Sequence, residues 1–244
     1  MNRLITEFLA IMLALLCSIV AIAEAQDMDK NQALSARQQG IISIAAFTAK
    51  GDPEKLKVAL NEGLDAGLTV NEIKEILVQL YAYTGFPRSL NGIGTFMGVM
   101  EERQKKGIKD ETGREASPLP VNKSSIELGT DIQTRLVGKP VTGALYTFAP
   151  AIDQFLKGHL FGDIFGRDNL DFQSREIATV SALASMDGVN PQLQAHLNVS
   201  MNVGLTEAQL RQFVSVLGNK VGKDEASRAA RLLDEVLKNR KAKN

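Results

Sequence analysis

The sequence predicts an all-α fold made from one helical unit used twice, and three observations carry that prediction. Sliding the chain against itself by 137 residues lays Ala45 on Ala182, Gly51 on Gly188, Leu56 on Leu193 and Leu60-Asn61 on Leu197-Asn198 without a gap. Gly67-Leu68-Thr69 then falls on Gly204-Leu205-Thr206, and Leu80 on Leu217. A register held over so many positions marks a duplicated supersecondary unit. Helix-start signals repeat in the same register. Thr69 with Glu72 and Thr206 with Gln209 are capping boxes, and Leu68 against Ile73 and Leu205 against Leu210 are the matching hydrophobic staples. Finally, Ile73, Ile76, Leu77 and Leu80 in one copy, and Leu210, Phe213, Val214 and Leu217 in the other, lie on one face of a 3.6-residue period. These stripes are core, not a cofactor box.

In chain order, residues 1–25 read as a cleavable export signal. Arg3 precedes an apolar run from Phe8 to Ile22 that closes on Ala23-Glu24-Ala25, the small-x-small pattern of a signal-peptidase site. The mature chain then starts at Gln26 and is expected in the periplasm. A membrane anchor is the competing reading, but the run falls short of the roughly 18 apolar residues a spanning helix needs. Cys17 does not mark a lipoprotein, because Leu16 stands before it where a small residue is required.

The first copy covers residues 26–104. It continues past its stripe through Tyr83-Thr84-Gly85-Phe86-Pro87-Arg88, where the helix breaks and Pro87 restarts one running to about Arg103. Residues 105–142, charged and then rich in Ser, Pro and Gly, are expected as a linker that wraps the surface with short helices at most. The second copy covers residues 143–244. In it Ile177, Val180, Ser181 and Ala184 recur at helical spacing, Asp187-Gly188-Val189-Asn190-Pro191 turns the chain, and Pro191 opens the next helix. Gly204 stops that helix in a left-handed position.

Composition narrows the function. The chain has 28 basic and 28 acidic residues and no formal net charge, so nothing draws it to nucleic acid or anionic lipid. No Trp and three Tyr argue against a carbohydrate-stacking surface. Its single cysteine, Cys17, lies in the leader, which removes thiolate ligands, disulfides and thiol catalysis from the mature protein. His159 and His196 are the only histidines and lack the close spacing of a metal site, so no metal and no cofactor are expected. A small-molecule substrate and further copies of the chain are the expected partners, with no stable membrane insertion after cleavage.

Specific residues sharpen this. Phe161-Gly162-Asp163-Ile164-Phe165-Gly166-Arg167-Asp168-Asn169-Leu170-Asp171, then Ser174-Arg175-Glu176, His196 and Gly204-Leu205-Thr206-Glu207, together with Tyr83 to Asn91 in the first copy, resemble the carboxymuconolactone decarboxylase family. The resemblance implies a duplicated helical bundle of the alkylhydroperoxidase D-like fold that assembles into rings or higher oligomers. Peroxidases of that fold need a Cys-x-x-Cys pair ahead of the histidine, which this chain lacks. Neither copy is complete. The first has Gln39 and Ala59 where the second has Glu176 and His196, and the second has Gly222-Lys223-Asp224 in place of Gly-Phe-Pro. One composite site, or one active copy beside one scaffold copy, fits better than two equivalent sites.

Decarboxylating a lactone acid needs a cation for the carboxylate, a route to delocalise electrons and an acid to protonate carbon. Glu176 and His196 are the expected catalytic pair, with Arg175 and His159 expected to bind substrate. Arg175 and Glu176 point about 100° apart on a helix, so one of them is expected to be structural. An ideal hairpin offsets Glu176 and His196 by roughly 7 Å at 1.5 Å rise per residue, so a direct hydrogen bond needs tilt and long reach, and a water or a substrate between them fits equally well. The expected activity is a cofactor-independent, carboxy-lyase-like or isomerase-like reaction. A family relative handling peroxide without thiols, and a non-catalytic oligomeric binding protein, are the alternatives. For His196 the structural alternative is a satisfied core histidine.

Overall fold

The computed structural model describes residues 33–242; the expected leader, its cleavage site and Cys17 lie outside the described residues. Helices make up all of the regular structure among them. The first copy contributes α1 (Ala36–Lys50), α2 (Pro53–Asp65) and α3 (Val70–Lys105). The second contributes α7 (Phe172–Ala184), α8 (Asn190–Asn202), α9 (Glu207–Lys220) and α10 (Lys223–Lys241). Between them stand α4 (Ser125–Val137), the short α5 (Ala144–Phe148) and α6 (Pro150–Gln154), and a π-helix, Phe155–Ile164.

The helix boundaries follow the local chemistry. Both halves of the capping box form at Thr69/Glu72 and at Thr206/Gln209, and a third caps α1 at Ser35/Gln38. Gly204 takes φ 99°, a conformation that favours glycine after a helix. The long α3 is two helices joined at Gly85, whose φ of 79° and ψ of 158° interrupt the ladder before Pro87 restarts it. The corresponding position in the second copy, Gly222, separates α9 from α10.

At the centre α1 packs on α7, its counterpart in the duplication. Each is buried almost all round, from Ile41 to Ala49 and from Ser174 to Ala184, as expected for a helix enclosed on every side. α3 crosses onto α7 and α9 crosses onto α1, so each copy lends its post-staple helix to the central helix of the other. The staple-following stripes supply the core: Ile73, Ile76, Leu77 and Leu80, and Leu210, Phe213 and Leu217, are buried, with Val214 half-buried.

The stretch expected as a linker is more structured than its weak periodicity suggests. Residues 111 and 112 run past the start of α3, their carbonyls accepting from the Val70 and Asn71 N–H groups that the helix itself leaves unpaired. Helix α4, which carries its own Ser124/Glu127 capping box, lies across the π-helix. The crossing is close because glycines meet backbone there. A β-carbon at Gly129 would fall on the Lys157 carbonyl, and one at Gly162 on the Ser125 carbonyl. Leu136, Leu160, Phe161, Ile164, Phe165 and Val199 form a second small core under this hairpin, with Tyr81 and Tyr83 of α3 packed against it.

Candidate functional site

Helix α7 starts at Asp171, whose carboxylate accepts from the Ser174 N–H at 2.8 Å, and this fixes Arg175 and Glu176 one after the other in its first turns. The two point to different neighbours, as the 100° step demands. Glu176, fully buried, faces α8, where its Oε2 lies 2.8 Å from His196 Nδ1. The contact is direct, closer than the ideal-hairpin offset predicts, because the helices end elsewhere than expected. α7 stops at Ala184 and α8 begins at Asn190, eight residues beyond Glu176 and six before His196. That mismatch is about 3 Å of rise, which two side chains span.

Arg175 turns towards α3 instead. It is fully buried, and its Nη2 donates to Glu75 Oε1 at 2.8 Å and to the Arg167 carbonyl at 2.7 Å, while Nη1 donates to Gln79 Oε1 at 2.9 Å. Gln79 in turn donates to the Arg175 carbonyl and to the Thr179 hydroxyl. Burial pushes the Arg175 guanidinium below its ordinary value, and the Glu75 carboxylate opposes that shift. The carboxylate that Arg175 was expected to take from a substrate is thus supplied by Glu75, which also binds Arg167 at 2.9 Å. Here Arg175 ties the copies together.

His159 stands on the exposed side of the π-helix. Its Nδ1 lies 2.9 Å from Asp163 Oδ2, and its ring is 5.6 Å from that of Tyr81. Against the upward push of burial, the Ser125 hydroxyl and His159 hold the Asp163 carboxyl below its usual value. The structure therefore brings Glu176 and His196 together, places Arg175 beside them in a structural network, and gives His159 different partners. Among the described residues no three His, Cys, Asp or Glu side chains gather as a metal site would need.

Sequence reasoning about single residues did not single out Tyr83. Its ring meets the His196 ring edge-on, with centroids 5.7 Å apart and planes at 82°. Tyr83 also lines a cavity of about 450 Å³ with Lys50, Arg88, Ser185, Met186, Asp187 and Val189. Burial, and after it the Glu176 charge, pushes the Tyr83 phenol above the ordinary phenol range, offset only partly by the Thr179 hydroxyl and Arg175. Glu75, Gln79 and Tyr83 recur at i, i+4 and i+8 along α3, beside the apolar Ile76, Leu77 and Leu80, and this polar row at helical spacing was the available signal. The residues brought together here come from both copies: Tyr83 from α3 of the first, Glu176 and His196 from α7 and α8 of the second.

Two stretches of the chain, residues 19–94 and 150–235, match the model of the Carboxymuconolactone decarboxylase family. No curated protein matches the chain.

Proposed function

The chain belongs to the carboxymuconolactone decarboxylase family, and from that premise we propose that it is an acid–base enzyme of the lyase or isomerase type. Its substrate is a small carboxylated or lactone-like molecule, and it works without a cofactor. The observation that supports this most is the pairing of a fully buried carboxylate, Glu176, with an imidazole whose side chain keeps 16% exposure. An ionised Glu176 takes the Nδ1–H of His196, fixes the tautomer and leaves Nε2 to exchange a proton with a ligand. In a decarboxylation the bond to the leaving carboxylate breaks, carbon dioxide departs and the electron pair passes into the conjugated lactone. For this step the ring must carry a proton on Nε2 as well, and Glu176 stabilises that imidazolium; Nε2–H passes its proton to carbon, the ring is left neutral, and solvent then returns a proton to Nε2. Tyr83 also lines a cavity whose charged rim is Arg88, Lys50 and Asp187, a net positive setting for a carboxylated ligand, while Glu176 and His196 stand behind Tyr83 and do not line it. Lys50 is also paired with Glu225. The cavity's size suits a small molecule.

The test is turnover of a panel of carboxylated lactones by wild type and His196→Gln, with melting curves alongside. Loss of the titrating proton should lower activity by about 10²–10⁴-fold with little change in melting. Normal turnover by the variant, or a loss of activity no larger than its loss of folded protein, overturns the assignment. Turnover by neither protein, with the lactones still bound, leaves a binding protein.

We further propose that the protein is exported, on the strength of the Ala23-Glu24-Ala25 cleavage pattern, and that it self-associates. N-terminal sequencing of protein from the periplasmic fraction should give Gln26; Met1 on protein in the membrane fraction overturns the first proposal.

A further inference from the structure

We propose that Tyr83, contributed by the first copy, is the hydrogen-bond donor that holds the oxygen on which negative charge develops when the Glu176–His196 pair of the second copy moves its proton. This rests on the acid–base reading and adds a residue to it.

Two polar atoms in the site carry the inference. The Tyr83 hydroxyl is buried with no partner in hydrogen-bonding geometry, although the Thr179 hydroxyl acts on it, and Glu176 Oε1 is likewise without a partner. Buried polar atoms are nearly always paired, and here Tyr83 OH and Glu176 Oε1, with Arg175 Nε in the adjoining network, are without partners around His196, which favours a place where a polar ligand completes them. The Thr179 hydroxyl does not fill this need. It tempers the phenol, yet stands outside hydrogen-bonding geometry to it. The tyrosine is also fixed, because its ring is edge-on to His196 and packed against the small core beneath the α4 and π-helix hairpin.

The chemistry suits a neutral phenol. Burial and the Glu176 charge keep the Tyr83 proton on oxygen at any working pH, so the group donates and does not compete as a base. Whether the reaction breaks a C–CO₂ bond or a C–H bond, the electron pair moves through the conjugated system onto the lactone carbonyl oxygen. Tyr83 donates a hydrogen bond to that oxygen without giving up its proton, and His196 delivers the proton to carbon. A buried donor aimed at the developing oxyanion is worth far more than one in water. Because the donor and the proton carrier come from different copies, the missing counterparts of Glu176 and His196 at Gln39 and Ala59 cost the reaction nothing.

The probe is tetronate, the stable enolate of a five-membered lactone, with the neutral unsaturated lactone lacking the enol as its control. Calorimetric binding to the full chain is compared for wild type and Tyr83→Phe, which keeps the ring. Wild type should bind tetronate, and Tyr83→Phe should weaken it by about tenfold or more, as for a lost hydrogen bond to a charged group, with the neutral lactone bound alike by both. With a turned-over lactone acid, kcat should fall by about 10²–10³-fold and KM should change little. Equal tetronate affinity in the two proteins, or none in wild type, overturns the donor assignment. The two proposals separate cleanly. Turnover unaffected by Tyr83→Phe removes the donor and leaves the acid–base pair, whereas Tyr83-dependent tetronate binding without turnover of any lactone acid keeps the donor and removes the enzyme.

Discussion

At the scale of single residues, the same step of chain serves stability and chemistry in opposite directions. Arg175 and Glu176 are neighbours, yet one is locked into Glu75 and the other offers itself to His196. Glu75→Leu should therefore be severe: it leaves the Arg175 charge buried without its counter-ion, at a cost of about 3–5 kcal/mol. Adding Arg175→Met should recover most of that loss, because an apolar pair of similar volume removes the buried charge altogether. Denaturant unfolding of the single and double variants decides it, and a double variant no more stable than Glu75→Leu alone would contradict the pairing. A second pair titrates. Lys50, by its hydrogen bond, holds the Glu225 carboxyl below its usual 4.5, so the pair's stability is fully present above that value and is lost as pH falls through the lower folded one. Glu225→Gln should melt earlier than wild type at pH 7, and the gap should close in acid. A gap that persists unchanged at pH 3 would rule out the ionic contribution. The resemblance names Glu176 and His196 in the sequence, but the ideal-hairpin offset spoke against the direct contact the structure shows. The Glu75 partner of Arg175 was not readable there, since it lies 100 residues away on a helix from the other copy.

Among elements, what the sequence announced was whatever local chemistry decides. Capping boxes at Thr69 and Thr206, the stop at Gly204 and the break at Gly85 stand where hydroxyls, carboxylates and glycines put them. The hairpin of α4 and the π-helix reads from the sequence as linker and the start of the second copy, because the crossing depends on Gly129 and Gly162, which carry no hydrophobic signal although apolar residues pack beneath them. This difference is testable with two glycines. Gly129→Ala places a methyl on the Lys157 carbonyl and should cost about 1–3 kcal/mol or more through forced separation of the two helices. Gly94→Ala, in helical backbone with nothing within 4 Å of the new carbon, should stabilise by roughly 0.5–1 kcal/mol through the unfolded chain. Thermal melts that shift in the same direction for both would show that the crossing is looser than described. The crossing also matters for the chemistry, because Tyr83 packs on the small core beneath it.

For the whole molecule, the segment from 144 to 155 leaves an apolar row open that its own helices cannot explain. Leu145 is 65% exposed, Phe148 90% and Phe155 66%, and neither α5 nor α6 buries a single residue. Five-residue helices are not stable in water by themselves, since nucleation costs more than so few hydrogen bonds return. An exposed apolar row of this kind is unusual on a monomer. The self-association proposed above would cover it: a two-fold axis would set the row against itself, and a chain with no formal net charge has no long-range repulsion to overcome. Light scattering at micromolar concentrations should give a mass above that of one chain. Phe148→Glu combined with Phe155→Glu should return it to one chain while leaving the melting of the central α1 and α7 pair unchanged, because neither phenylalanine belongs to that core. A wild-type mass equal to one chain ends the argument, and so does a double variant that keeps its partners, which would place the contact on another face.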